Sequence, residues 1–189
     1  MKLIGVTGNI GSGKSTVCRL LNVLGYPVYI ADTEGKRITE TPEITQKIRE
    51  NFEDCFFENG TVNRKRLAET VFSDKEKLKT LNSIIHPAVN KDFVEWTKRQ
   101  HADFVFVESA ILLQTDMSKN LDKIILVSSP QTTKISRASH RDKCSAADAQ
   151  HRLDNQTNEA EMHKKCDFVI INDDKTAIIP QVLQILKEL

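Results

Sequence analysis

The sequence predicts an α/β fold in which helices cover both faces of a five-stranded parallel sheet, giving three α/β/α layers. Three observations lead to this prediction. Short, continuous apolar runs are typical of strands buried on both faces. Helical patterns separate these runs along the chain, which favours parallel pairing. The glycine-rich segment 8–15 joins the first apolar run to the first helical pattern, and the length of 189 residues suits one domain.

The predicted strands share uninterrupted apolar character and cover residues 3–7, 28–31, 104–107, 124–127 and 168–171. Apolar residues at helical spacing, together with turn signals, predict helices over about 17–24, 33–50, 63–72, 74–83, 87–96 and 178–186. Pro87 is expected to begin a helix, because the first helical turn needs no N–H donor at that position. The long helical excursion between strands two and three is expected to stand beside the carboxyl ends of the strands, where a second substrate would bind.

Residues 8–15 satisfy G-x-x-x-x-G-K-[ST], the pattern of the phosphate-binding P-loop. A strand before it and a helix after it provide the context in which backbone N–H groups and the helix start hold a phosphate. Lys14 is expected to reach the β- and γ-phosphates, and the Ser15 hydroxyl to ligate Mg²⁺. The predicted nucleotide-binding residues here are Gly8, Asn9, Ile10, Gly11, Ser12, Gly13, Lys14, Ser15 and Thr16.

Composition limits the other partners. The formal net charge of +1 gives no reason to propose nucleic acid or an anionic membrane. No apolar run has membrane-spanning length, and because strand one begins near residue 3 no signal peptide is expected. The four scattered cysteines suggest reduced thiols, and His140 with Cys144 lacks the further ligands of a metal site. The expected compartment is the cytoplasm, and a monomer is favoured.

A P-loop alone does not separate kinases from GTPases and other nucleotide switches. The segment from Asp32 to Gly35 fits the D-x-x-G of a GTPase, but no N-K-x-D motif follows, and residues 172–175 have the wrong order. A kinase needs a carboxylate that orients the acceptor hydroxyl or accepts its proton. Asp32, at the end of strand two, is placed to do so, although an Asp there also suits a helix N-cap.

Two arginines and one glutamate are further candidates. Arg137 and Arg141 lie four residues apart on one predicted helix, from which guanidinium groups can close over a triphosphate. Arg152, in the next helix, could join them, and surface ion pairs are the alternative for all three. Glu108 directly follows strand three, where a carboxylate can contact substrate or hold Mg²⁺ through water, or simply end the strand.

Together these segments resemble the dephospho-coenzyme A kinase family, nearly end to end. Residues 4–17 are similar to its P-loop and Ala31-Asp32 to the end of its Asp-Ala-Asp element. Residues 63–72 resemble its Asp-Arg…Leu…Val-Phe segment. Residues 81–89, which contain His86-Pro87, resemble the signature that best separates this family from adenylate- and shikimate-type kinases. Four residues match its lid pattern and one its late asparagine, namely Arg137, Arg141, Arg152, Gln156 and Asn172. The sequence departs from the family pattern in three segments: Ile30 replaces an Asp, residues 108–114 lack the usual proline and end in Gln114 instead of a Glu, and Lys134 replaces a Gln.

The resemblance implies a P-loop kinase-like fold. It also implies an enzyme that requires Mg²⁺ and transfers the ATP γ-phosphoryl group to the ribose 3′-hydroxyl of dephospho-coenzyme A. It implies a core of about 1–32, 101–136 and 166–189, a helical substrate insertion at about 33–100 and a lid at about 137–156. Asp32 becomes the favoured base and Asn172 a nucleotide contact, while His86 contacts substrate or holds helices together. Another small-molecule kinase, acting on a nucleoside or nucleotide, is the alternative, and a GTPase-like switch is a more distant one.

Overall fold

The computed structural model describes all 189 residues. Five strands are formed, namely β1 (Lys2–Thr7), β2 (Val28–Ile30), β3 (Phe104–Glu108), β4 (Lys123–Ser128) and β5 (Phe168–Ile171). Nine α-helices are formed, namely α1 (Lys14–Val23), α2 (Ala31–Ile38), α3 (Pro42–Asn51), α4 (Arg64–Phe72), α5 (Lys75–Thr97), α6 (Gln131–Asp142), α7 (Ala146–Asp154), α8 (Glu159–His163) and α9 (Ile178–Glu188). Short 3₁₀ turns occur at Glu53–Cys55, Leu112–Gln114 and Asp116–Asn120. None of the helices combines the length and apolar character that crossing a bilayer requires.

The sheet is entirely parallel, with the strand order β2-β3-β1-β4-β5. Its register aligns the carboxyl ends of β1, β3 and β2. Glu108, the last residue of β3, pairs with Val6 on one side and with Ile30, the last residue of β2, on the other. The predicted five-stranded parallel sheet is therefore confirmed, and it brings Glu108 to the same edge as the start of the P-loop.

One face of the sheet carries the main apolar core. Ile4, Val6 and Phe106 point to this face from the central strands and are fully buried. Helices α1 and α9 cover them, and their buried members include Val17 and Val182. At about 25 cal/mol per Å² of apolar area removed from water, this burial is the main source of the core's stability.

The opposite face is covered by the 3₁₀ segment after β3 and by α8, which packs on β4. A Cβ atom at Gly5 of β1 would lie 2.5 Å from the Leu112 side chain and 2.7 Å from the Leu121 side chain, so a larger residue here would require both leucines to shift. Both faces of the sheet are thus covered, which confirms the three-layer prediction.

The chain divides into two compact units, Met1–Ile30 with Gln100–Leu189, and Ala31–Arg99. The first unit contains the whole sheet and the P-loop. The second is helical: α5 packs against α2, α3 and α4, with Ile48 and Phe93 almost fully buried. An ion pair between Arg37 and Asp92 (2.6 Å) joins α2 to α5 on its surface.

Three sequence-based boundaries are wrong. Strand two ends at Ile30 rather than at residue 31, because Ala31 already belongs to α2. The helical stretch 33–50 is two helices separated at residues 39–41, and Pro42 begins the second. Pro87 does not begin a helix but lies inside the 23-residue α5, whose packing along its length tolerates one missing N–H donor.

Candidate active site

The P-loop adopts a conformation that only glycine allows at several positions. Gly8, Gly11 and Gly13 have φ angles of +150°, +73° and +95°. A Cβ at Gly8 would lie 2.4 Å from the Val127 carbonyl oxygen, and one at Gly13 would lie 1.9 Å from Asn172 Nδ2. The loop is therefore packed against β4 and the end of β5, with its backbone shape fixed before any phosphate arrives.

Lys14, the P-loop lysine, is the first residue of α1 and is held inside the loop. Its Nζ donates to the carbonyl oxygens of Gly8 (2.9 Å) and Asn9 (3.3 Å) and lies 3.9 Å from Glu108 Oε1. Both side chains of this ion pair are about nine-tenths buried. A cation fixed here suits β- and γ-phosphates, whose charge it would meet at short range.

The Lys14–Glu108 pair also affects the neighbouring thiol. Burial raises the pKa of Cys18 to about 12, and the negative charge of Glu108 adds to the effect. Since the thiolate is the reactive form of cysteine, this buried residue of α1 is chemically inert at neutral pH.

Arg137 and Asn172 meet on the other side of the P-loop. Asn172 Nδ2 donates to the Ser12 carbonyl oxygen (2.8 Å), while Arg137 donates to the Gly11 carbonyl (3.4 Å) and to Asn172 Oδ1 (3.2 Å). Arg137 also forms an ion pair with Asp174, whose φ angle is +65°. A guanidinium beside the Gly11 carbonyl can bind the phosphate oxygens of a nucleotide held on the loop.

A cleft of about 730 Å³ opens beside these residues. It is lined by Gly13, Thr16 and Leu20 of the P-loop and α1, and by Arg137, Asn172 and residues 174–179. Its volume falls within the 300–1,000 Å³ typical of small-molecule sites, and its wall combines apolar and polar groups. The sequence analysis placed Gly13, Thr16, Arg137 and Asn172 near nucleotide but missed the contribution of residues 174–179. The turn signal Asp173-Asp174 after a parallel strand was the available clue.

The other two arginines of the family's lid pattern have a different partner. Arg141 donates to both carboxylate oxygens of Asp142 (2.8 and 3.0 Å), and Arg152 donates to one of them (2.7 Å). The hydrogen bonds from Arg141 hold the pKa of the Asp142 carboxyl below its usual range, and the charges of both arginines act in the same direction. Asp142 thus brings Arg141 and Arg152 together at the end of α6.

Asp32 and His86 belong to the helical unit. Asp32 is exposed and lies in the first turn of α2, so the expectation that it ends strand two is wrong. It follows Ile30, the last residue of β2, by two positions. His86 lies half-buried within α5, and burial lowers its pKa. The imidazole is therefore neutral at pH 7 and can both donate and accept a hydrogen bond.

Comparison with known proteins identifies relatives along almost the whole chain. The family model described as Dephospho-CoA kinase matches residues 2–177. A curated protein of Bacteroides fragilis, named Dephospho-CoA kinase, is 36% identical over 185 residues, which cover 97% of this chain and 90% of that protein.

Two solved structures have the same fold. A crystal structure from Thermus thermophilus has 34% sequence identity and a TM-score of 0.87, covering 99% of this chain and 95% of that one. A dephospho-CoA kinase from Campylobacter jejuni has 29% identity and a TM-score of 0.70, covering 98% of this chain and 96% of that one. The P-loop kinase-like fold and the family resemblance are both confirmed by these matches.

Proposed function

The chain belongs to the dephospho-coenzyme A kinase family, and from that premise we propose how its own residues carry out the reaction. The enzyme uses ATP to phosphorylate an alcohol of dephospho-coenzyme A, which gives coenzyme A and ADP, the last step of coenzyme A biosynthesis. The single observation that supports this assignment best is the family match over residues 2–177, which contains the fully formed P-loop. Nucleoside and nucleotide acceptors and a GTPase-like role are not favoured.

In the proposed donor site, the ATP phosphates lie on residues 8–16. The helix start of α1 and the loop N–H groups bind them, and Lys14 leaves its carbonyl partners to meet the β- and γ-phosphates. The nucleoside lies in the cleft beside Gly13 and Thr16, with Asn172 on its far wall. Asn172 acts mainly by fixing the loop through Ser12, as its 2.8 Å hydrogen bond indicates.

Oxygen donors at the loop fit Mg²⁺, which prefers hydroxyl, carboxylate and water ligands. The Ser15 hydroxyl is exposed at the start of α1, and Glu108 ends β3 with its carboxylate 3.9 Å from Lys14. Ser15 would ligate the ion directly, and Glu108 would do so through water. When bound, Mg²⁺ supplies positive charge against the phosphate oxygens.

Asp32 is the proposed base. Its carboxylate orients the ribose 3′-hydroxyl and accepts its proton as the oxygen bonds to the γ-phosphorus and the bond to ADP breaks. Two observations support this role: Asp32 is exposed, and it follows the end of β2 by two residues, at the carboxyl edge where parallel sheets bind ligands.

The proposed lid, about residues 137–156, excludes water that would otherwise accept the phosphoryl group. Arg137, which already contacts the Gly11 carbonyl, exchanges Asp174 for phosphate oxygens, and Arg141 adds a second guanidinium. The acceptor contacts are proposed to come from the helical insertion of about 33–100, with His86 as a neutral hydrogen-bonding group.

We further propose that the enzyme acts as a monomer in the cytoplasm, without nucleic acid or membrane partners. The net charge of +1 and four free cysteines support this assignment. Sedimentation of the purified protein and localisation of a tagged copy would test it.

The Asp32→Asn variant tests the catalytic assignment. We expect kcat to fall at least a hundredfold, as loss of general-base catalysis commonly costs 10²–10⁴ in rate, while ATP affinity stays unchanged. Glu34→Gln is the matched control, because it removes a carboxylate from the same turn of α2 and should leave kcat within about threefold. Near-normal turnover by Asp32→Asn would refute the role of Asp32 as base.

A further inference from the structure

We propose that residues 156–159, here called the strap, preset the first half of the P-loop for ATP, with Gln156 as the positioning residue. The strap connects α7 to α8 and contacts the loop at two points. The Ile10 backbone N–H donates to Gln156 Oε1 (2.7 Å), and Asn9 Nδ2 donates to the Thr157 carbonyl oxygen (3.2 Å). The inference rests on the proposed use of residues 8–16 as the ATP site.

The two halves of the P-loop are held by different means. The second half is bound by Asn172 through Ser12 and continues directly into α1. The first half, Asn9 and Ile10, lies between glycines of positive φ, and its one backbone hydrogen bond within the loop runs from Ser12 N–H to the Asn9 carbonyl (3.1 Å). Lys14 Nζ also donates to the Gly8 and Asn9 carbonyl oxygens, but in the proposed ATP complex it leaves them for phosphate. The contacts from the strap then remain as the side-chain restraint on this half.

The strap is itself anchored on three sides. Gln114, after β3, donates from Nε2 to Thr157 Oγ1 (2.6 Å). Lys134 of α6 forms an almost buried ion pair with Glu159, whose other carboxylate oxygen accepts from Ser128 at the end of β4. Because the strap is already ordered by these contacts, its hydrogen bonds to Ile10 and Asn9 cost less conformational entropy than those from a free loop would.

Gln114 and Lys134 are two of the positions at which this sequence departs from the family pattern. In the structure both contact the strap. The amide of Gln114 is a donor, which a glutamate carboxylate is not, and the cation of Lys134 neutralises Glu159 where a glutamine would not. The two departures thus serve one local arrangement, the anchoring of the strap.

A preset loop binds ATP more tightly because less conformational freedom is lost on binding. Replacing Gln156 by Leu removes the acceptor of the Ile10 N–H while keeping a side chain of similar size. A net hydrogen-bond contribution of about 0.5–1.5 kcal/mol corresponds to a roughly two- to thirteenfold increase in the ATP dissociation constant. Because Gln156 also lies at the end of the proposed lid, the effect is measured as ATP affinity in the absence of acceptor rather than as turnover.

The experiment measures ATP binding by calorimetry, and KM for each substrate by steady-state kinetics, for wild type and Gln156→Leu. Asn155→Ala is the matched control, because the Asn155 side chain bonds only to His151 within α7. Gln114→Leu tests the anchor and should raise the KM for ATP in the same direction by a smaller factor. Amide exchange in a peptide covering residues 8–13 should be about two- to thirteenfold faster in Gln156→Leu.

Weaker ATP binding by calorimetry and faster amide exchange over residues 8–13, with an unchanged KM for dephospho-coenzyme A, support the proposal. A general structural defect would instead raise the KM values for both substrates; that result overturns the proposal, as does an ATP affinity within twofold of wild type. Calorimetry and amide exchange need no acceptor. These two measurements therefore test the role of the strap even if the protein proves not to phosphorylate dephospho-coenzyme A.

Discussion

Gly13→Ala should destabilise the protein mainly through Asn172, and a double-mutant cycle can isolate that effect. The added Cβ would lie 1.9 Å from Asn172 Nδ2, so the asparagine must move and lose its hydrogen bond to the buried Ser12 carbonyl. The positive φ of an alanine costs about 1.5 kcal/mol. An unsatisfied buried acceptor costs about 2 kcal/mol more. We therefore expect the free energy of unfolding to fall by about 3.5 kcal/mol.

Asn172→Ala alone loses the same hydrogen bond and should cost about 2 kcal/mol. In that background the steric conflict at Gly13 is gone, and Gly13→Ala then costs only the backbone strain of about 1.5 kcal/mol. The double variant should thus be destabilised by about 3.5 kcal/mol, which leaves a coupling energy of about 2 kcal/mol.

Urea-induced unfolding, followed by far-UV circular dichroism, measures all four proteins. Gly25→Ala is the control, because Gly25 has a similar φ of +90° but no atom within 4 Å of its Cβ position. It should lose about 1.5 kcal/mol, with or without Asn172→Ala. Additive costs for Gly13→Ala and Asn172→Ala would refute the packing of the loop against Asn172.

Three further predictions follow from single groups. Asp174→Asn removes a carboxylate that competes with phosphate for Arg137, so the KM for ATP should fall about two- to fivefold in steady-state assays, whereas an unchanged KM would show no competition. At pH 8, iodoacetamide followed by mass spectrometry should label Cys144 but not Cys18, whose pKa is about 12; rapid labelling of Cys18 in the folded protein would contradict its burial. Because burial lowers the pKa of His86 below 6.5, the unfolded chain binds a proton at this residue more readily than the folded protein does. The free energy of unfolding, measured with urea, should therefore fall as the pH drops below 6.5, and His86→Asn should reduce this dependence on pH.

The strand, glycine loop and helix of the P-loop were predictable because their signals are local. Residues 8–15 carry the glycines, Lys14 and Ser15 within one short segment, flanked by a strand and a helix of clear pattern. The central strands were equally clear, since burial on both faces makes them continuously apolar. Their parallel register then placed Glu108 beside the loop, as its distance of 3.9 Å from Lys14 illustrates.

The parts that were missed depend on tertiary contacts. Gln156 meets Ile10 across 146 positions of sequence, and no local pattern encodes that pairing. Pro87 was misassigned because a local rule treats proline as a helix start, whereas packing of α5 against three other helices outweighs one lost hydrogen bond. Asp32 illustrates the ±2-residue uncertainty of element ends, since α2 begins immediately after β2.

ATP bound at the P-loop is proposed to give its γ-phosphoryl group to the 3′-hydroxyl of dephospho-coenzyme A. Purified enzyme should be incubated with ATP, Mg²⁺ and, in parallel, dephospho-coenzyme A, its 3′-deoxy analogue, adenosine, a deoxynucleoside and shikimate. Coupled detection of ADP and ³¹P NMR of the products report rate and position. With dephospho-coenzyme A we expect ADP and coenzyme A, its new phosphate on the ribose 3′ oxygen, in equal amounts, and no ADP with the other acceptors; equal ADP release with every acceptor, or phosphate at another position, would contradict the claim.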